Sequence, residues 1–162
     1  MQVTLRPYRA QDFDGLHAID QACYTREIAY SKWEMLEYMA LPGADCLVAE
    51  HEGQMIGFIL SAHKAGKGHI VTIDVLEAFR KAGVGTSLLT AAEKRMAERG
   101  CTQIVLETAT NNKAAISFWK KHGYRKRGVL SNYYPGGIDA FAMSKEISSS
   151  RNNGRRRRQH PD

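Results

Sequence analysis

The chain has 162 residues, 43% of them hydrophobic, which is enough for one domain with a sizeable core and too few for two. Its longest apolar run beside a turn signal, Met55-Ile-Gly-Phe-Ile-Leu60, is far shorter than a membrane span. The start "MQVTLRPYRA" has no signal-peptide core, so a soluble, cytoplasmic protein without membrane contact is expected. The net charge of +6 does not mark the body as a nucleic-acid binder, because the stretch 148–162 carries five arginines against one aspartate and leaves the rest at only +2.

Taken in chain order, "VTLRPY" reads as a strand, followed by a helix opened by Asp12 or Asp14 and running through "GLHAIDQAC". After the loop "TREIAY", Ser31 and Glu34 form an S-x-x-E capping pattern ahead of a second short helix in "WEMLEYM". The strands "DCLVAE" and "QMIGFILSA" join at "HEG" as a hairpin, and "HIVTIDV" alternates into a third. The helix behind Gly83 sets Val84, Leu88, Ala92 and Met96 on one face and stops at Arg99-Gly100. "QIVLET" is a continuous apolar run, as in a strand covered on both faces. An asparagine of "TNNKAAISFWKKHG" caps the next helix, which closes at Lys120, Lys121 and Gly123. "YRKRGVL", a turn at "YYPGG" and "IDAFAMSKEI" complete the chain. The order β-α-α-β-β-β-α-β-α-β-β predicts an α/β fold, a mixed sheet with helices on both faces. Cys23, Cys46 and Cys101 are odd in number and have no C-x-x-C spacing, so they predict neither disulfides nor a metal site. The tail from Ser148 has no large apolar residue; it reads as a disordered end, or as an arginine-rich anchor for a polyanion such as RNA.

The stretch "RKAGVGTSLL", Arg80 to Leu89, lies at a strand-to-helix junction, where unpartnered N–H groups and the helix dipole suit an anion and glycines let a phosphate approach. A P-loop needs lysine where Thr86 stands. A dinucleotide fingerprint needs glycine where Leu88 stands, although Glu107 lies about twenty residues on, as that fingerprint asks. The remaining pattern is Arg80-x-x-Gly83-x-Gly85. Together with Asn112-x-x-Ala115-x-x-Phe118-Trp119-x-x-x-Gly123-Tyr124 and Tyr133-Tyr134-Pro-Gly-Gly-x-Asp139-Ala-x-x-Met143, it resembles the GNAT N-acetyltransferase superfamily. Within that superfamily it is most similar to the ribosomal-protein-alanine and other N-terminal acetyltransferases. The resemblance covers residues 1–147, one acetyltransferase domain, and leaves 148–162 as the tail.

The resemblance implies a GNAT-like mixed sheet and acetyl-coenzyme A (acetyl-CoA) as cosubstrate, with no metal. It implies that backbone N–H groups of Arg80, Lys81, Ala82, Gly83, Val84, Gly85 and Thr86 hold the pyrophosphate, helped by Asn112, and that Ile73 and Val75 hold the pantetheine arm, Val75 N–H serving as oxyanion donor. It makes Glu107 the general base, with Glu27 a second candidate. Relatives carry tyrosine as the thiolate's acid where this chain has Trp119, whose indole N–H donates a hydrogen bond but gives up no proton. Trp119 can still pack the cofactor; water or Tyr124 is left to supply the proton. Tyr133, Tyr134 and Tyr30 are similar to acceptor contacts. The implied reaction is acetyl transfer to a primary amine, foremost a protein's N-terminal α-amine such as that of a ribosomal protein. A small amine or lysine side chain is the first alternative; a non-catalytic coenzyme A or dinucleotide module is the second.

Overall fold

Seven strands form one sheet in the order β1-β2-β3-β4-β5-β7-β6. They are β1 (Thr4–Pro7), β2 (Asp45–His51), β3 (Gln54–Lys64), β4 (Lys67–Val75), β5 (Gln103–Ala109), β6 (Arg125–Tyr134) and β7 (Ile138–Glu146); the helices are α1 (Phe13–Cys23), α2 (Lys32–Met39), α3 (Val84–Glu98) and α4 (Lys113–Lys121). This computed structural model describes residues 1–150, and the arginine run expected in the tail lies outside the described residues. Ser149 is 5% exposed, so packing continues past residue 147. No helix among the described residues is long and apolar enough to cross a membrane.

Local chemistry accounts for the element ends. Ser31 Oγ accepts from Glu34 N–H at 3.1 Å and opens α2; Asn112 Oδ1 accepts from Ala115 N–H at 3.1 Å and opens α4. Gly100 and Gly123 follow α3 and α4 at φ +89°, the left-handed geometry that ends a helix. Helix α1 begins after Asp12, but the carboxylate of that residue does not cap it. Asp12 instead accepts from the Arg6 guanidinium at 2.7 and 2.9 Å and from Arg9 N–H at 2.8 Å, tying β1 to the turn before α1.

Alternation along the central strands sorts side chains into two cores. Leu47, Ala49 and Ile59 join Leu88, Leu89, Ala92 and Met96 of α3, with Trp119 of α4, on one face. Cys46, Val48, Phe58 and Leu60 meet Leu16 and Ile19 of α1 and Met35 of α2 on the other. A bidentate Arg95–Asp45 pair, at 2.6 and 2.9 Å, pins α3 to the start of β2.

The feature that positions the site is a broken ladder. Strand β4 pairs with β3 along its length, but with β5 only over Lys67–His69 against Gln103–Val105. A register shift at Leu60/Ser61 leaves Val71 as the extra residue of β4, and such a bulge bends and twists its strand. Strand β5 meanwhile stays with β7 over Gln103–Ala109. The two parallel strands therefore diverge into a wedge after His69.

Gly57 of β3 lets this bent strand approach: a Cβ there would lie 2.6 Å from the Asp74 carbonyl oxygen and 3.3 Å from Val75 Cα, both backbone atoms that cannot step aside. Gly57→Ala should lower stability by about 1–3 kcal/mol, read as a lower denaturant midpoint at unchanged slope.

Candidate active site

A cleft of about 500 Å³ fills the wedge, lined by Ile70 to Val75 of β4, Leu106 to Ala109 of β5, the loop before α3, and the inner side of α4. Strands carry backbone donors and acceptors on both edges, so a divergent edge needs other partners. The β4 carbonyls facing the wedge find them in side chains. Tyr30 Oη donates to Val71 O at 3.3 Å and Tyr24 Oη to Ile73 O at 2.9 Å, while Val75 O accepts from Arg80 Nε at 2.9 Å and Cys23 Sγ at 3.4 Å. Ile73 and Val75 pair with β3 on one edge and lie beyond the last β4–β5 pair on the other, so β5 does not bond their N–H groups.

At one end lies the loop Arg80 to Thr86. Gly83 is left-handed at φ +83° immediately before α3, and Lys81, a non-glycine, sits at φ +64°. Alternating backbone hands turn successive N–H groups toward one concavity, which together with the start of a 15-residue helix makes an anion cradle. A Cβ at Gly83 would meet nothing within 4 Å, so glycine is needed there for the sign of φ; at Gly85 it would come within 3.4 Å of the Phe118 ring. Arg80, Lys81, Gly83, Gly85, Thr86 and Asn112 all line the cleft. Ala82 is not among the lining residues, and the Val84 side chain is 2% exposed in the core, leaving the cradle only its backbone. Thr86 Oγ1 lies 3.1 Å from His122 Nε2, whose pKa is held below the ordinary histidine value by burial and by Lys121.

At the other end Glu107, on the last turnless stretch of β5, meets His69 of β4. His69 Nε2 lies 2.7 Å from Glu107 Oε2, with the imidazole as donor because a carboxylate only accepts. Both side chains keep partial solvent access, 31% for His69 and 24% for Glu107. Four tyrosines gather near this carboxylate. Tyr30 and Tyr38 of the α1–α2 region pack edge to face at 5.5 Å, and Tyr133 and Tyr134 of the β6–β7 hairpin do so at 4.9 Å. Burial, followed by the negative charge of Glu107 and by Tyr38, pushes the Tyr133 hydroxyl up to about 12. All four therefore stay neutral at pH 7 and form an aromatic slot above the Glu107–His69 pair.

Of the residues expected from sequence, Glu107, Trp119, Ile73, Val75, Tyr30 and Tyr134 line the cleft with the cradle residues above. Tyr133 reaches the slot through its contact with Tyr134 rather than lining the cleft itself. Glu27 is exposed and does not line the cleft; its Cγ lies 3.5 Å from the Cβ position of Gly136 on the opposite hairpin, so it stands at the slot's rim. Trp119 is 5% exposed, between Phe118 and Tyr124. Tyr124 faces away from the cleft, its hydroxyl donating to Glu93 Oε2 of α3 at 3.4 Å, which puts it out of place as a proton donor there. Sequence reasoning missed His69, Tyr38, Tyr24 and Cys23. His69 carries no motif signal: only the β4–β5 register, with His69 opposite Val105, brings it beside Glu107. Among the described residues no group of three or more His, Cys, Asp or Glu is placed to hold a metal ion.

The family model described as "Acetyltransferase (GNAT) family" matches residues 13–124, more than half of the chain. An N-alpha-acetyltransferase of Sulfurisphaera tokodaii is 32% identical over 88% of this chain and 92% of its own length. The ribosomal-protein-S18-alanine N-acetyltransferase of Escherichia coli shares the fold, at TM-score 0.82 and 22% identity over 91% of this chain and 95% of that one. So does the PaiA N-acetyltransferase of Thermoplasma acidophilum, solved in complex with coenzyme A, at TM-score 0.75 and 22% identity over 91% of this chain and all of that one. The wedge, the cradle at its end and these likenesses agree, and the chain belongs to the acetyltransferase (GNAT) family and is an N-acetyltransferase.

Proposed function

We propose that this protein transfers the acetyl group of acetyl-coenzyme A to the N-terminal α-amine of a protein, a ribosomal protein being one such acceptor. The observation that carries this reading is the meeting of two openings at Glu107: a wedge of bare backbone groups on one side and a tyrosine-walled slot on the other. The wedge fits coenzyme A in kind. Its cradle of N–H groups, left-handed at Lys81 and Gly83, suits a pyrophosphate, and the N–H groups of Ile73 and Val75, which β5 does not bond, suit an amide-bearing arm laid along β4 as a missing strand would be. When bound, the cosubstrate supplies an activated thioester carbonyl.

This chain's residues supply the rest. The Val75 N–H stands where it can donate to oxygen charge developing on a carbonyl in the wedge. Glu107 accepts the proton of the acceptor ammonium, and the hydrogen bond from His69 holds the carboxylate in one orientation. Trp119 contributes packing, and solvent returns the proton on the leaving side, since Tyr124 is turned toward Glu93. The acceptor follows from proton supply. A terminal amine with pKa near 8 is roughly one-tenth neutral at pH 7, whereas a lysine amine near 10.4 is neutral roughly 0.04% of the time. One carboxylate and its histidine suffice for the first. The slot between Tyr30 and Tyr38 on one wall and Tyr133 and Tyr134 on the other suits a single extended chain end.

Three measurements test the reading. Gly85→Glu places a carboxylate in the cradle and should weaken acetyl-coenzyme A binding by at least about tenfold in calorimetry, with an unchanged circular dichroism spectrum. Glu107→Gln should lower kcat by about 10²-fold with cosubstrate affinity retained, and Glu27→Gln should cost less; the reverse order would move the base to Glu27. A peptide with a free terminus should be acetylated faster than the same peptide blocked there but carrying lysines. Preference for the blocked peptide would assign the slot to lysine or to small amines.

A further inference from the structure

Beneath the slot wall lie two carboxyl groups that the chemistry above does not use. Asp20, on the last turn of α1, is 0% exposed, and Asp74, the next-to-last residue of β4, is 1% exposed. The two side chains meet within hydrogen-bonding reach where α1 packs on β4. One oxygen of each is engaged. Asp20 Oδ2 accepts from Tyr30 N–H at 2.7 Å, and Asp74 Oδ1 accepts from Thr72 Oγ1 at 2.6 Å. The other two, Asp20 Oδ1 and Asp74 Oδ2, are buried and have no donor among the described residues.

Two buried carboxylate oxygens without donors, on side chains that act on one another, carry both a desolvation cost and like-charge repulsion. A single proton placed between them removes both, since one carboxyl becomes the donor and the other the acceptor. Among the neighbouring groups, Thr72 and Tyr24 offer Asp74 hydroxyl hydrogen bonds, and neither carries a positive charge. Cys23 and Tyr24 of α1, Tyr30, Thr72 of β4 and Cys46 of β2 face the pair as neutral groups, and none of the ion pairs among the described residues includes Asp20 or Asp74. Burial, then Asp20, holds the Asp74 carboxyl well above the ordinary carboxylate range.

We propose that Asp20 and Asp74 share one proton, and that this bridge positions Tyr30, and so the α1–α2 wall of the acceptor slot, against the wedge edge of β4. The inference rests on reading Tyr30 as a slot wall. Its geometric support is the grip on Tyr30 at three points: N–H held by Asp20, C=O held by Gln21 Nε2 at 2.8 Å, and hydroxyl held on Val71 O at 3.3 Å. Through the bridge the first grip continues into β4. Asp20 and Asp74 are positioning residues for acceptor binding, touching neither reacting atom.

The linkage has a definite sign. In the unfolded chain both aspartates are ionised above about pH 4, while the folded pair retains one proton, so folding takes up a proton and rising pH favours unfolding. The unfolding constant of the wild type should therefore rise by up to about tenfold per pH unit relative to Asp74→Asn above the ordinary aspartate range, until the pH reaches the point where the folded pair gives up its proton, because the asparagine amide makes the same link without a titrating proton. Infrared difference spectra at neutral pH should show one protonated carboxylic acid carbonyl in the wild type that is missing from Asp74→Asn and from Asp20→Asn. Asp74→Ala should speed hydrogen exchange at the Tyr30 amide, and raise the KM for acceptor peptide, by about tenfold, with the KM for acetyl-coenzyme A kept within about twofold and Asp74→Asn restoring both. Parallel pH slopes together with no acid carbonyl in the wild type would overturn the proposal, as would equal changes in both KM values. If Asp74→Ala does not fold, the spectra and slopes of the asparagine variants decide. Should no peptide be acetylated at all, the spectra, slopes and exchange rates still judge the bridge, and only the reading of the slot is lost.

Discussion

The parting of β4 from β5 after His69 is the constraint on which the rest of the molecule depends. A parallel pair in the middle of a sheet ordinarily satisfies its backbone groups by mutual hydrogen bonding, and interrupting that ladder exposes a row of donors and acceptors inside the protein. Here the ladder ends at His69, two residues before the extra residue Val71, while β3 on one side and β7 on the other hold the two strands where they are. Neither strand can slide back to close the gap without breaking an antiparallel ladder on its far edge. The wedge is therefore a fixed opening in the sheet, and the N–H groups along β4 are available to whatever lies in it.

Holding such an opening costs hydrogen bonds, and α1 with its following loop offsets that cost. The carbonyls of Val71, Ile73 and Val75 accept from Tyr30, Tyr24, Cys23 and Arg80, three of which belong to the segment that also walls the acceptor slot. The same residues thus complete the wedge and shape the acceptor's path. The α1–loop segment and the wedge edge of β4 form one packed unit, and the carboxyl pair Asp20 and Asp74 is buried between α1 and β4.

The chemistry at the centre uses few groups, each set by a different physical cause. Glu107 keeps partial solvent contact and is held in one orientation by His69. Tyr133 and Tyr134 beside it are kept neutral by burial and by its charge, and Tyr30 chiefly by burial. Trp119 fills its helix position as core, between Phe118 and Tyr124.

Much of this was legible in the chain because it is local. Caps at Ser31 and Asn112, stops at Gly100 and Gly123, the periodic face of α3 and the Arg80-x-x-Gly83-x-Gly85 loop each depend on residues within a few positions of one another, and each stands where the sequence places it. Sequence by itself determined the order of elements, the glycine-bearing turn into α3 and the candidacy of Glu107 at a strand end. Only tertiary structure decided that Asp12 would serve Arg6 instead of capping α1, that Tyr124 would turn toward Glu93, and that His69 would meet Glu107. It also decided that Tyr38 would join the slot and that Asp20 would face Asp74. Those pairings join residues 6 to 54 positions apart, through strand register and helix-on-sheet packing. A one-residue slip in register would turn His69 to the other face of the sheet, and no short stretch of sequence encodes that choice.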